Sequence, residues 1–170
     1  MTGDGIEPAP IALRPATMAD APTIVALNAA VVAVTSPMDV ADFTALLPLC
    51  AVCTVVERAG TLLGFIMAMQ QGAGYDNGNF RWFSDRLNRF VYIDRVVIDA
   101  DARGLRLGSM LYDHLSRAAR QRDCLLLAAE MDLIPANPVS LKFHAQRGFV
   151  QLGTRELPSG KVVSMQVAGL

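Results

Sequence analysis

Apolar positions along this chain recur with two periods, and the switches between them divide it into elements. Ile11-Ala-Leu-Arg-Pro15 reads as a first strand that a proline ends. From Met18 to about Val34 the spacing turns helical, with Ile24, Leu27, Val31 and Val34 on one face. Thr17 is placed as its N-cap with Asp20 three residues later, and Pro22 falls in the first turns, where proline is tolerated. Pro37 breaks that pattern, and Val40 to Leu47 predicts a second, short helix. Ala51 to Arg58 and Leu62 to Gln70 flank Ala59-Gly60-Thr61, a hairpin signal. Gln71 to about Asn88 reads as a long loop, uncommon in a compact domain unless it has a job. Phe90 to Ile98 predicts a strand, Leu107 to Arg122 an amphipathic helix with Leu107, Leu111, Leu115 and Ala118 inward, and Leu125 to Met131 a buried strand. Asn137 to Arg147 is a capped helix, with Asn137 at the N-cap, Pro138 at the first position and Gly148 at the end. Phe149 to Glu156 and Val162 to Val167 predict a closing hairpin.

The order β-α-α-β-β-β-α-β-α-β-β predicts an α/β (α+β) mixed sheet, not a strict strand–helix alternation. The 170 residues suit one domain, expected over 11–170, after a flexible tail over 1–10 that holds Gly3, Gly5, Pro8 and Pro10. With 52% hydrophobic and 18% charged residues, intrinsic disorder is excluded for most of the chain. A net charge of −1 argues against a nucleic-acid partner, and the low charge is compatible with a homodimer. No apolar run approaches the ~20 residues that span a bilayer. Asp4 and Glu7 stand where a signal peptide has basic residues, so a cytoplasmic chain with no membrane partner is expected.

Cys50 and Cys53 form a C-x-x-C, but no second Cys or His pair completes a zinc site, so no metal is expected. Residues three apart on a strand point to opposite faces, and all three cysteines are read as small core residues.

Val96 to Ser109 passes from a strand through a short loop into a helix, with Arg103, Gly104 and Gly108 at the junction. The first turn of a helix has amides without internal partners and the positive end of the dipole, which together suit an anion such as a pyrophosphate. A tight turn with a solvated arginine would read the same way, since neither the P-loop nor the dinucleotide-binding glycine pattern is present.

A second motif adds specificity. Asn137-Pro-Val-Ser-Leu-Lys-Phe-His-Ala-Gln-Arg-Gly-Phe149 closely resembles the N-x-x-[SA]-x-x-[FL]-[YH]-x-x-x-G-[FY] block of the GNAT superfamily of N-acetyltransferases. Arg103 to Ser109 resembles the family's pyrophosphate loop, at the expected distance upstream. Arg106 stands where the family usually has the inner glycine. There it adds a cation beside a phosphate or, by its bulk, reshapes the loop. The element order over 11–168 fits the family's mainly antiparallel sheet flanked by helices.

The resemblance implies acetyl-CoA as co-substrate. Backbone of Val96, Val97 and Ile98 would pair with the pantetheine arm. Amides from Gly104 through Leu105, Arg106, Leu107 and Gly108 to Ser109, with Arg103 beside them, would hold the pyrophosphate. Asn137, Ser140 and His144 would touch the pantetheine or adenosine side. The acceptor would be a primary amine of a small molecule or a peptide.

Acetyl transfer to an ammonium needs a base, oxyanion stabilisation and an acid for the leaving thiolate. Alternation along Phe90 to Ile98 predicts Tyr92, Asp94, Val96 and Ile98 on one face. Asp94 is the expected base, directly or through a water; otherwise it pairs with Arg86 or Arg89. His144, at the place where many members carry a tyrosine, is the expected acid; otherwise it is a capping or surface residue. Glu130 either faces the acceptor amine or forms an ion pair. Tyr75, Phe80, Trp82 and Phe83, with Asp76, form either an acceptor-side lid or an aromatic cluster closing the core or a dimer contact. The competing reading of the whole is an acyl-CoA-binding or dimerisation module of the same fold without efficient catalysis.

Overall fold

The computed structural model describes residues 9–170, so all but Ala9 and Pro10 of the expected N-terminal tail lies outside the described residues. Seven strands form one sheet: β1 (Ile11–Pro15), β2 (Val52–Arg58), β3 (Thr61–Gln70), β4 (Phe90–Ile98), β5 (Leu126–Ile134), β6 (Val150–Glu156) and β7 (Val162–Gly169). Their spatial order is β1-β2-β3-β4-β5-β7-β6. Every pair is antiparallel except β4 with β5.

Five helices cover the two faces: α1 (Ala21–Ala29), α2 (Val40–Leu46), α3 (Gly78–Ser84), α4 (Leu107–Arg120) and α5 (Pro138–Gln146). On one face α4 buries Leu107, Leu111, Tyr112 and Leu115 against Ile66, Val91, Ile93 and Leu127. Each such side chain stabilises the fold by about 1.5–3 kcal/mol. On the other face α1 and α2 bury Ile24 and Phe43 against Val55, Phe65 and Met67. Beside them α3 buries Phe80 and Phe83 against Phe90, Tyr92 and Met165.

The strands and the two glycine-flanked helices fall close to where periodicity puts them, and two segments differ. The expected helix from Met18 to Val34 becomes a short 3-10 turn followed by α1, which stops at Ala29. Past that point Val31, Val32, Val34 and Thr35 are β-branched and poor helix formers. The chain instead folds back so that buried Asn28 donates from Nδ2 to the Ser36 carbonyl at 2.9 Å. The expected loop over 71–88 contains α3, because the Asn77 side chain caps it by accepting from the amides of Asn79 at 2.8 Å and Phe80 at 3.0 Å. Cys50 precedes β2 rather than lying in it, so Cys50 and Cys53 pack against the same apolar cluster instead of opposite faces. Among the described residues no helix is long and apolar enough to cross a membrane.

Candidate active site

The sheet opens between β4 and β5. They pair only over Phe90–Tyr92 and Leu126–Ala128, although both strands run on. The cause is a bulge: Ala68 pairs with Ile93 and Met67 with Arg95, so Asp94 has no partner on β3. A bulge adds a residue to one strand, bends it and sharpens its twist. Beyond it the facing edges of the two strands separate and bound a cavity of about 570 Å³ that also reaches α4, α5 and the β6–β7 turn.

The bulge also breaks the expected alternation. Tyr92 packs with Phe80, Phe83 and Phe90, whereas Val96 and Ile98 pack toward the α4 face with Val91 and Ile93. Tyr92 and Val96 therefore lie on opposite faces, because one extra residue reverses the side-chain register.

One end of the cavity is built by local chain geometry. In α4 the first intrahelical carbonyl, that of Arg106, is taken by the Met110 amide at 3.1 Å, which leaves the amides of Leu107, Gly108 and Ser109 without helical partners. Arg106 sits at φ 58° and ψ 25°, the left-handed turn that glycine adopts freely, so the loop keeps the glycine conformation with an exposed arginine in it. Gly108 lines the cavity, and a Cβ there would meet Phe143 Cζ at 3.6 Å, an ordinary contact. Asn137 caps α5 by accepting from the Ser140 amide at 3.1 Å, and Asn137, Ser140 and His144 all line the cavity.

His144 is buried and held at both nitrogens. Nδ1 lies 2.8 Å from the Ser140 carbonyl, which only accepts, so Nδ1 carries the proton. Nε2 then accepts from the Tyr112 hydroxyl at 2.6 Å. Burial lowers the His144 pKa below its usual value and raises that of Tyr112, so the pair is neutral.

The other end is built by side chains from distant segments. Glu130 on β5 lines the cavity; its Oε1 accepts from the Tyr92 hydroxyl at 3.0 Å, and its buried Oε2 has no partner among the described residues. Burial pushes its carboxyl up to about 7, the Tyr92 hydrogen bond opposes that rise, and the charge of Asp94 adds to it. Asp94 pairs with neither Arg86 nor Arg89. Its Oδ2 accepts from Arg95 Nε at 2.7 Å and its Oδ1 from the Tyr75 hydroxyl. Arg86 stacks on Trp82 at 4.1 Å, and Arg89 donates to the Asp123 carbonyl.

Among the expected acceptor-side residues, Glu130 lines the cavity; Tyr75, Phe80, Trp82, Phe83 and Tyr92 do not. Phe80 and Phe83 are core residues, and Trp82 packs edge-on against Phe83 with centroids 5.2 Å apart. Of the donor-side residues, Val96, Val97, Ile98 and Gly108 line it, while Arg103, Gly104, Leu105 and Arg106 are exposed and do not line it. The sequence reading missed Tyr112, Asn79, Arg95 and Asn28. Tyr112 is legible only as one more inward residue of an amphipathic helix. Asn79 lines the cavity and its carbonyl accepts from Arg155, a contact made across 76 residues. Arg95 and Asn28 are polar residues in apolar segments, which is a signal of burial with a partner but does not name the partner.

A family model for the acetyltransferase (GNAT) family matches residues 31–149. No curated protein matches the chain. Among solved structures, Ard1 from Thermoplasma volcanium superposes with a TM-score of 0.77 at 16% identity, covering 94% of this chain and 97% of that one. The ribosomal-protein-S18-alanine N-acetyltransferase from Escherichia coli gives 0.71 at 12% identity, covering 94% of each chain. The Salmonella typhimurium protein yncA, solved with its cofactor acetyl-CoA, gives 0.69 at 21% identity, covering 95% of each chain.

Proposed function

Because the chain belongs to the acetyltransferase (GNAT) family, we propose that it transfers an acetyl group from acetyl-CoA to a primary amine, with Glu130 as the base. The observation that carries this reading is the buried, unpartnered Oε2 of Glu130 in the cavity between β4 and β5. A carboxyl raised to about 7 is still ionised in part at neutral pH and is a stronger base than an ordinary carboxylate, which suits it to draw a proton from the nitrogen as that atom attacks. Asp94 was the expected base, but both of its oxygens are engaged by Arg95 and Tyr75. We assign Asp94 to positioning: it ties Tyr75, in the loop that leads into α3, to the bulge of β4.

The donor fits the other end. Free amides at the start of α4 suit a pyrophosphate, and the unpaired edges of β4 and β5 offer hydrogen bonds to an amide-bearing arm. The fold relative with acetyl-CoA bound supports the same donor. The thioester supplies the acyl carbon and a sulfur leaving group.

Two protons leave the ammonium in forming an amide and a thiol. Glu130 takes one. The His144 ring as held has no proton at Nε2, so we assign it to orienting Tyr112 rather than to the acid role expected for it. The Tyr112 hydroxyl gives its proton to the departing sulfur and regains one from the nitrogen, so it ends as it began, and Glu130 releases the proton it took to water before the next turnover.

The test is the pH profile of initial rates with acetyl-CoA and an accepted amine. The parent rate rises through about pH 7 and then levels. Glu130→Gln loses on the order of 10²–10³ in rate and loses that limb, whereas Tyr112→Phe lowers the rate and keeps it. A Gln variant with an unchanged profile would remove Glu130 from the base role.

A further inference from the structure

We propose that the acceptor is a primary amine with an apolar body and no carboxylate beside the amine. The proposal rests on the acyl-transfer reading and concerns the acceptor end of the same cavity. Val31, Val34, Leu157 and Val163 form an apolar wall there. Val34 is 50% exposed, so this wall has surface left to cover. An aliphatic or aryl group gains by covering it.

The cations decide the rest. Among the described residues two cationic side chains line the cavity, Arg95 and Lys161, and both are engaged. Arg95 donates from Nε to Asp94 at 2.7 Å, from Nη1 to Asn28 Oδ1 at 3.0 Å and the Ser36 carbonyl at 3.1 Å, and from Nη2 to Ser36 Oγ at 3.0 Å. That uses four of its five N–H groups. Lys161 Nζ donates to Asp132 Oδ2 at 3.0 Å. Glu130, with its unpartnered oxygen, lines the same cavity. An acceptor whose amine meets Glu130 brings any carboxylate on the adjacent carbon to the same carboxyl, with no free cation to receive it. Like charges at such range in a partly buried site repel strongly, and the carboxylate also loses water without a replacement. A hydrogen in place of that carboxylate meets neither penalty, while the ammonium itself is matched to Glu130.

The test uses probes that differ only by the carboxylate: pentylamine against norleucine, and phenethylamine against phenylalanine. Initial rates with saturating acetyl-CoA give kcat/KM, and calorimetry on the CoA-loaded protein gives affinity without turnover. Each amine is expected to exceed its amino acid by about 100-fold or more in kcat/KM, because juxtaposed like charges and a desolvated, unpaired carboxylate both oppose binding, with affinity in the same order. Asp132→Asn frees Lys161 and is expected to narrow both gaps by about tenfold, with the simple amines unchanged. Amino acids used as well as the amines would overturn the proposal, and so would transfer confined to hydrophilic amines such as spermidine; both outcomes leave acyl transfer standing. Acetyl-CoA hydrolysis or binding with no transfer to any of these amines overturns the acyl-transfer reading and this proposal with it.

Discussion

The two ends of the cavity are made by different means. The donor end rests on backbone: the first amides of α4, the separated edges of β4 and β5, and a capped α5. Apart from those strand edges, its residues come from two contiguous stretches, 103–109 and 137–144. The acceptor end rests on side chains gathered from segments around 31–36, 77–79, 94–95, 130 and 157–163. Backbone amides are present whatever the side chains, so a ligand held by them constrains only the residues that shape the turn. A ligand held by side chains constrains every contributor, and each sits on an element of its own. One end can therefore stay constant in form while the other varies.

Breaking the Arg95 hub is expected to have the largest effect. Arg95 joins Asp94 to Asn28 and Ser36 and is buried, so Arg95→Ala leaves the Asp94 carboxylate in the interior with the Tyr75 hydroxyl but without its counter-charge. A loss of about 3–5 kcal/mol is expected, read by chemical denaturation, because removing one partner of a buried pair strands the other. Where the variant remains folded, its affinity for acetyl-CoA stays within about threefold, since additivity holds between separated sites. A large loss of donor affinity at retained fold would mean that the two ends are not independent.

Gly108→Glu breaks the comparison from the donor end. The added Cβ meets only an ordinary contact with Phe143, so the fold accommodates it, while the carboxylate repels a pyrophosphate at the start of α4. Calorimetry is expected to show acetyl-CoA affinity down by on the order of 100-fold, with like charges juxtaposed, and the melting temperature close to that of the parent.

Glu130 links the acceptor end to stability. Its folded-state pKa is raised from 4.5 to about 7, so between those values the native state holds a proton that the unfolded chain has released. Stability from this group therefore falls as pH rises through that window and levels above it. Glu130→Gln removes the fall, and the variant is expected to be the more stable of the two at pH 8. Equal pH dependence in both proteins would show that the carboxyl is not held out of water.

The smallest effect expected is that of Arg106→Gly. The left-handed conformation costs an ordinary residue roughly 1–2 kcal/mol, which glycine avoids at an entropic cost of about half that. Stability is expected to change by under about 1 kcal/mol, and acetyl-CoA affinity to weaken a few-fold through loss of a cation at the turn into α4.

Local signals carried much of this molecule. Asn137-Pro138 and Gly148 mark α5 because a cap, a fixed φ and a positive φ are properties of single residues and their neighbours. The run from Arg103 to Ser109 marks the turn into α4 for the same reason. Asn77 marked the start of α3 equally well, and the glycines and aromatic residues around it hid that signal. Alternation placed β4 correctly but not its faces, since the bulge at Asp94 arises from pairing with β3 rather than from β4 itself.

By itself, then, the sequence determined the order and type of most elements and the turns and caps that begin α4 and α5, because periodicity, caps and turns act over a few residues. Only the tertiary structure decided which side chains meet in and around the cavity. Tyr112 reaches His144 across 32 residues, Tyr92 reaches Glu130 across 38, and Arg95 reaches Asn28 across 67. Burial, which sets the proton affinity of Glu130 and the neutrality of His144, likewise exists only once the sheet and its helices have closed around them.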